Sequence, residues 1–140
     1  MPALINRRTL KIEWGQCDPA GIVFYPQFLM IFDASTGHLF ARTGLSPSGM
    51  RKKYSILGMP LVEEGTRFLK PCRFDDEILV ESEVEEWGRT SFTVRHRILN
   101  GGQLAVDGFE KRVWASADPD QPGRIKPQPI PAEIIAALAE

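Results

Sequence analysis

One carboxylate in this 140-residue chain stands apart by its surroundings. Asp18 lies in the run Glu13-Trp-Gly-Gln-Cys-Asp-Pro-Ala-Gly-Ile-Val-Phe-Tyr-Pro-Gln-Phe28, where a Pro/Gly turn separates an alternating segment from an apolar helix opened by Pro26. A carboxylate beside a helix N-terminus has backbone N–H groups close by. Those groups stabilise a developing oxyanion while the carboxylate attacks a carbonyl or activates water. The spacing also suits a purely local cap, because Asp-Pro and Ala-Gly are ordinary turn dipeptides and Asp often bonds its own backbone. Spacing alone leaves both readings open.

The other reactive side chains offer less. Cys17 follows no nearby histidine, and the adjacent carboxylate disfavours its thiolate, so it reads as a small packing residue. His38 and His96 share no metal-ligand spacing, and each reads as packed or hydrogen-bonded, so no metal site is expected. Asp33 falls within the apolar helix, where a buried carboxylate needs a partner such as an arginine. Asp75-Asp76 and Glu63-Glu64 read as turn and solvated-face charges, and Trp87 and Trp114 as core or interface anchors.

The elements that must position these groups follow from periodicity. Leu10, Ile12 and Trp14 alternate with Lys11 and Glu13, which predicts a first strand with one face on a core. From Pro26 to about Arg42 the apolar residues lie on nearly every side, which predicts a helix surrounded by protein, with Gly44 at its left-handed end. Residues 46–58 read as a loop with a helical turn carrying Arg51-Lys52-Lys53. Residues 60–70, 77–87, 90–99 and 103–116 read as strands joined by short turns, with Ile78, Val80 and Val84 sharing one face, and Phe92, Val94 and Ile98 another. The apolar phase changes from Leu104 and Val106 to Phe109 and Val113, which predicts a β-bulge near Gly108. Residues 118–131 read as a Pro-rich extended segment and 132–139 as a short helix.

Strand, long helix, then four strands specify an α+β fold in which a curved five-stranded antiparallel sheet wraps one central helix. The length and the 43% hydrophobic content fit a single domain spanning residues 1–140. A formal net charge of −1 gives no pull toward nucleic acid or anionic membrane. No run approaches the roughly 18 apolar residues of a helical membrane span. Two distant cysteines and an N-terminus without a long apolar stretch predict a cytoplasmic protein with reduced thiols.

The strings Trp14-Gly15, Cys17-Asp18-Pro19-Ala20-Gly21-Ile22-Val23 and Tyr25-Pro26, the aromatic helix with Asp33, and Glu86-Trp87-Gly88-Arg89-Thr90-Ser91-Phe92 together resemble the 4-hydroxybenzoyl-CoA thioesterase family of hot-dog proteins. The resemblance extends over most of the chain. It implies a hydrolase acting on an aromatic acyl-CoA, with Asp18 as base or nucleophile and the Tyr25 backbone N–H on the thioester carbonyl. It further implies Asp33 on a para-hydroxyl of the acyl group, or as the rival to Asp18, since other hot-dog thioesterases carry their catalytic carboxylate on this helix, and Arg89, Ser91 and Lys126 on the nucleotide of CoA. The apolar Phe24, Phe28, Met59 and Leu61 are candidates to line the acyl group and would suit aliphatic chains too. No cofactor is implied beyond the coenzyme A of the substrate. A homodimer or homotetramer is implied, its subunits covering the sheet edges, with the site between two subunits. Gln16, Gly88 and Thr90 depart from the family pattern, standing where relatives carry an acid or basic residues. The competing readings are a broader thioesterase for short or medium acyl-CoA or acyl-carrier substrates, and a non-catalytic acyl-binding module. A hot-dog dehydratase is set aside, because neither histidine lies in the turn that reaction needs.

Overall fold

A computed structural model of the chain describes residues 2–140. Strand β1 (Asn6–Lys11) leads through a 3₁₀ turn at Trp14–Gln16 into helix α1 (Pro26–Phe40), and a second helix α2 (Pro47–Tyr54) follows. The strands β2 (Leu61–Phe68), β3 (Glu77–Trp87), β4 (Ser91–Asn100) and β5 (Gln103–Val113) come next, then a small hairpin of β6 (Ala115–Ala117) and β7 (Ile125–Pro127), and helix α3 (Ala132–Ala137). The sheet order is β1-β3-β4-β5-β2, every pairing antiparallel. Helix α1 packs on one face of this sheet: Phe28, Ile31 and Phe32 meet Ile78, Val80, Ile98 and Val106. This is the expected α+β arrangement of one helix against five strands.

Pro26 sits at the first position of α1, where its missing N–H costs nothing. The buried positions Phe28, Ile31, Phe32, Ser35, Thr36, Leu39 and Phe40 form one helical stripe. The helix is therefore not enclosed on all sides within one chain, and Met30 on its outer face is 64% exposed. Two members of the stripe, Ser35 and Thr36, are polar. Gly44 ends the following 3₁₀ turn with a φ of 84°, as its position predicts.

Three further expectations are corrected. The first strand stops at Lys11. Ile12 still points inward, but the Glu13 N–H donates to the Gln16 side chain at 2.8 Å and the chain closes a turn at Gly15, swinging Trp14 outward to 63% exposure. Residues 47–54 form a two-turn helix, because Ser46 caps it by accepting from the Gly49 N–H at 3.0 Å and Met50 is buried beneath it. The bulge lies at Ala105 rather than Gly108, since the register slips where Ile98 faces Val106 and Leu99 faces Leu104. Beyond Ala105 the inward phase is unbroken through Val106, Gly108, Glu110 and Arg112. The apolar phase misleads there because the inward positions are polar. Gly108 serves another purpose: a Cβ on it would meet the Phe32 ring at 2.6 Å.

Candidate active site

The Asp18 turn is built by backbone bonds. The Asp18 N–H donates to the Ile22 carbonyl at 2.9 Å, and the Gly21 N–H to the Asp18 carbonyl at 2.9 Å, with Gly21 at a φ of 79°. The Ala20 N–H donates to Asp18 Oδ1 at 2.9 Å, the self-capping contact that the dipeptides suggested. The turn is anchored by the Val23 N–H on the Cys72 carbonyl at 2.8 Å and the Phe74 N–H on the Gly21 carbonyl at 3.1 Å. Asp18 ends half-buried, and its Oδ2 has no partner among the described residues.

The chain then enters α1 with Tyr25 already at helical angles, φ −54° and ψ −35°. The Gln27 N–H reaches the Phe24 carbonyl at 2.9 Å and the Phe28 N–H the Tyr25 carbonyl at 3.1 Å. The Tyr25 N–H has no acceptor among the described residues. A bare amide at the positive end of a helix therefore follows a carboxylate with one open oxygen, the pair of groups that acyl transfer uses.

A cleft of about 280 Å³ adjoins this helix mouth, lined by Ile22, Val23, Tyr25, Phe28, Phe68 and Cys72 among others. Phe68 sets its ring 6.2 Å from Tyr25 and 5.9 Å from Phe28, while Phe24 packs edge-on to Tyr25 at 5.6 Å. Burial, and after it the charge of Asp76, pushes the Cys72 thiol up to about 11, so it is a packing group rather than a nucleophile.

Asp33 is not buried: its side chain is 72% exposed. It takes an arginine as partner, Arg112, whose Nη2 donates to Asp33 Oδ1 at 2.7 Å while Nη1 donates to the Met59 carbonyl at 3.0 Å. Met59 lines a second, apolar cavity of about 190 Å³ with Gly37, Phe40, Leu45 and Met50. Leu61 is 48% exposed at the start of edge strand β2, opposite Arg112 in the register. The expected site residues are thus divided within one chain. Phe24, Tyr25 and Phe28 gather at the Phe68 end of β2, with Asp18 in the turn before them, and Asp33, Met59 and Leu61 lie at its Leu61 end.

The expected nucleotide contacts form a third group. Arg89 is exposed in the β3–β4 turn, its carbonyl accepts from the Ile130 N–H at 2.9 Å, and the Thr90 carbonyl accepts from the Trp114 N–H at 2.8 Å. Ser91 opens β4, and Lys126 pairs with Ser116 in the adjoining hairpin. This end holds Trp87 and Phe92, which pack on Phe40 at the last turn of α1. The 15-residue helix, about 22 Å long, separates it from Asp18.

Sequence reading missed one cluster beneath α1. His96 is wholly buried, stacked on Phe32 with ring centres 4.7 Å apart, its Nδ1 2.7 Å from Ser82 Oγ and its Nε2 2.9 Å from Glu110 Oε1. Thr36 donates to the same Glu110 oxygen, and Arg112 Nη2 donates to Glu110 Oε2 at 2.7 Å. Burial alone would raise the Glu110 carboxyl, but hydrogen bonds from His96, Arg112 and Thr36 outweigh it and hold it at about 2. Burial lowers the Arg112 guanidinium, but the hydrogen bonds and charges of Glu110 and Asp33 together raise it, so its charge is secured. The available signal was the strand phase, which puts Ser82, His96, Glu110 and Arg112 on inward positions. Among the described residues no helix is long and apolar enough to cross a membrane, and no three metal-binding side chains converge.

Residues 12–138 match the family model of the thioesterase-like superfamily. The chain is 35% identical over 131 residues to 4-hydroxybenzoyl-CoA thioesterase of Pseudomonas sp. strain CBS-3, covering 89% of this chain and 91% of that protein. The fold matches the crystal structure of an aspartate-to-asparagine variant of 4-hydroxybenzoyl-CoA thioesterase complexed with 4-hydroxybenzoyl-CoA, with a TM-score of 0.88, 31% identity and coverage of 98% and 100%. It also matches a gentisyl-coenzyme A thioesterase, with a TM-score of 0.80, 28% identity and coverage of 93% and 99%. The fold is the hot-dog fold, and the chain belongs to the thioesterase-like superfamily.

Proposed function

We propose that this chain, acting as a single hot-dog domain, hydrolyses aromatic acyl-CoA thioesters of the 4-hydroxybenzoyl kind to the free acid and CoA. The observations that carry the mechanism are an Asp18 oxygen left open in the turn that leads into α1 and a Tyr25 N–H left unbonded at the mouth of that helix. A thioester combines a reactive carbonyl with a good thiolate leaving group, so a carboxylate and an oxyanion donor suffice. Asp18 either attacks the carbonyl, giving a mixed anhydride that water then cleaves, or deprotonates the attacking water. Both routes use the ionised carboxylate, and neither asks for a cofactor beyond the CoA that the substrate brings. The Tyr25 N–H meets the carbonyl oxygen as it gains charge. Phe24 and Phe28 hold the ring beside Asp18.

The active form is a homodimer or a homotetramer built from it. Edge strand β2 exposes Leu61, Val62 and Phe68, with Leu69 just beyond, an apolar row that a solitary chain would leave open to aggregation. Antiparallel pairing of two such edges about a two-fold axis sets the Leu61 end of one copy against the Phe68 end of the other. That operation brings Asp33, Met59 and Leu61 of one subunit to Asp18 and Tyr25 of its partner. Arg89, Ser91 and Lys126 supply polar and cationic contacts for the nucleotide end of CoA. The free thiols Cys17 and Cys72 support a cytoplasmic setting. The apolar cavity beside Met59 favours, as a second reading, a broader enzyme that also takes aliphatic acyl chains.

The test is thiol release from benzoyl-, 4-hydroxybenzoyl-, phenylacetyl- and aliphatic-CoA, with sedimentation velocity at the assay concentration. A preference for 4-hydroxybenzoyl-CoA in a sedimenting oligomer is expected. Comparable rates on aliphatic thioesters would establish the broader enzyme. Failure on every thioester would leave an acyl-binding module, and a fully active monomer would refute the shared site.

A further inference from the structure

We propose that Arg112 is a positioning residue for Asp33: anchored by Glu110 and His96, it fixes that carboxylate so that the site selects acyl groups bearing a hydrogen-bond donor. The inference rests on the reading of Asp33 as an acyl contact. Left to itself, an exposed aspartate on a helix samples several rotamers and is bathed in water. Here Oδ1 is taken by Arg112 Nη2 at 2.7 Å, and Oδ2 has no partner among the described residues. One oxygen is fixed and the other is left to accept.

The guanidinium is itself placed before Asp33 arrives. Its Nη1 donates to the Met59 carbonyl at 3.0 Å, and its Nε and Nη2 donate to the two oxygens of Glu110 at 3.4 and 2.7 Å. Glu110 is 3% exposed and is held in turn by His96 Nε2 and the Thr36 hydroxyl. His96 is immobilised by the Phe32 ring and by Ser82. Thr36 lies one turn beyond Asp33, so α1 is hooked to the same carboxylate at the level where Asp33 projects. A planar fork with several of its donors engaged transmits that order to the remaining partner, which a flexible ammonium would not do. The resulting acceptor is anionic. It favours a neutral donor such as a phenolic hydroxyl, gains nothing from a bare ring, and repels a carboxylate.

The experiment compares kcat/KM on 4-hydroxybenzoyl-CoA with kcat/KM on benzoyl-CoA for the parent protein, Arg112→Lys, Asp33→Asn and the double variant. A merely structural arginine would lower both substrates together and leave the ratio alone. The expected result is a ratio about tenfold smaller in each single variant, the worth of one charge-assisted hydrogen bond. The double variant should fall no further, because Arg112 acts through Asp33. A folded Arg112→Lys protein with the parental ratio overturns the proposal, as does a double variant in which the losses multiply. Should Arg112→Lys not fold, Glu110→Gln takes its place: a smaller ratio supports the proposal and a parental one overturns it. If Asp33→Asn alone keeps the parental ratio, it is the underlying reading of Asp33 that fails, and the inference falls with it.

Discussion

The Asp18 turn and the Glu110 cluster are both carboxylate sites, and they are made in opposite ways. Asp18 is positioned by the backbone of its immediate neighbours, sits half-buried, and keeps an oxygen open. Glu110 is gripped by side chains from α1, β4 and β5, is almost wholly buried, and has both oxygens engaged. An unfinished set of hydrogen bonds leaves a charge available to a substrate. A completed set turns the same chemical group into part of the frame.

Substitutions at the two sites should therefore fail differently. Asp18→Asn keeps an acceptor for the Ala20 N–H and removes only the charge, so thioester turnover should drop by about three orders of magnitude while the thermal midpoint barely moves. A matching loss of stability would erase the contrast. Glu110→Ala strands Arg112, His96 and Thr36 in the interior, and urea unfolding should show a loss of about 3–5 kcal/mol.

Acid should strip the same stabilisation from the parent. The Glu110 carboxyl titrates at about 2 when folded and near 4.5 when unfolded, so its contribution is complete above pH 4.5 and is lost as pH falls toward 2. Unfolding free energies measured across that window should decline by of order 3 kcal/mol from this group, and Glu110→Gln should lack that part of the decline. The smallest effect belongs to Tyr25→Phe. The backbone N–H stays in place and the hydroxyl has no partner among the described residues, so kcat should hold. A fall of tenfold or more, by the usual measure of a lost hydrogen bond, would hand the oxyanion role to the phenol.

The same contrast explains what the sequence discloses. The Asp18 turn, the Pro26 helix start and the Gly44 stop are local events written in consecutive residues, and they are legible. Strand phases on β3 and β4 are legible too, because Ile78, Val80, Val84, Phe92, Val94 and Ile98 are all apolar and all inward. The β5 reading failed where inward positions carry Glu110 and Arg112, since periodicity follows polarity and these two are polar by design of the interior. The burial expected of Asp33 fails for the mirror reason: its neighbours in sequence are apolar, but the helix stripe turns it outward, where it meets the expected arginine partner in Arg112. Contacts among residues 33, 36, 82, 96, 110 and 112 come from sheet register, which no single stretch of chain encodes.

A helix resting on a sheet would ordinarily be free to creep along it. Here the Phe32 ring drops into a notch where β5 carries no side chain, and any Cβ at Gly108 would stand in its way. The helix is keyed like a shaft in its hub, its travel stopped by a missing methyl group. A shift of one turn, about 5.4 Å, would drive the ring onto a neighbouring side chain and drag Asp33 off its anchor. On the proposed reading, retuning the site for a wider or longer acyl group must then proceed by exchanging the side chains along a stationary rod, at Phe28 or Met59 for instance, and not by sliding the rod itself.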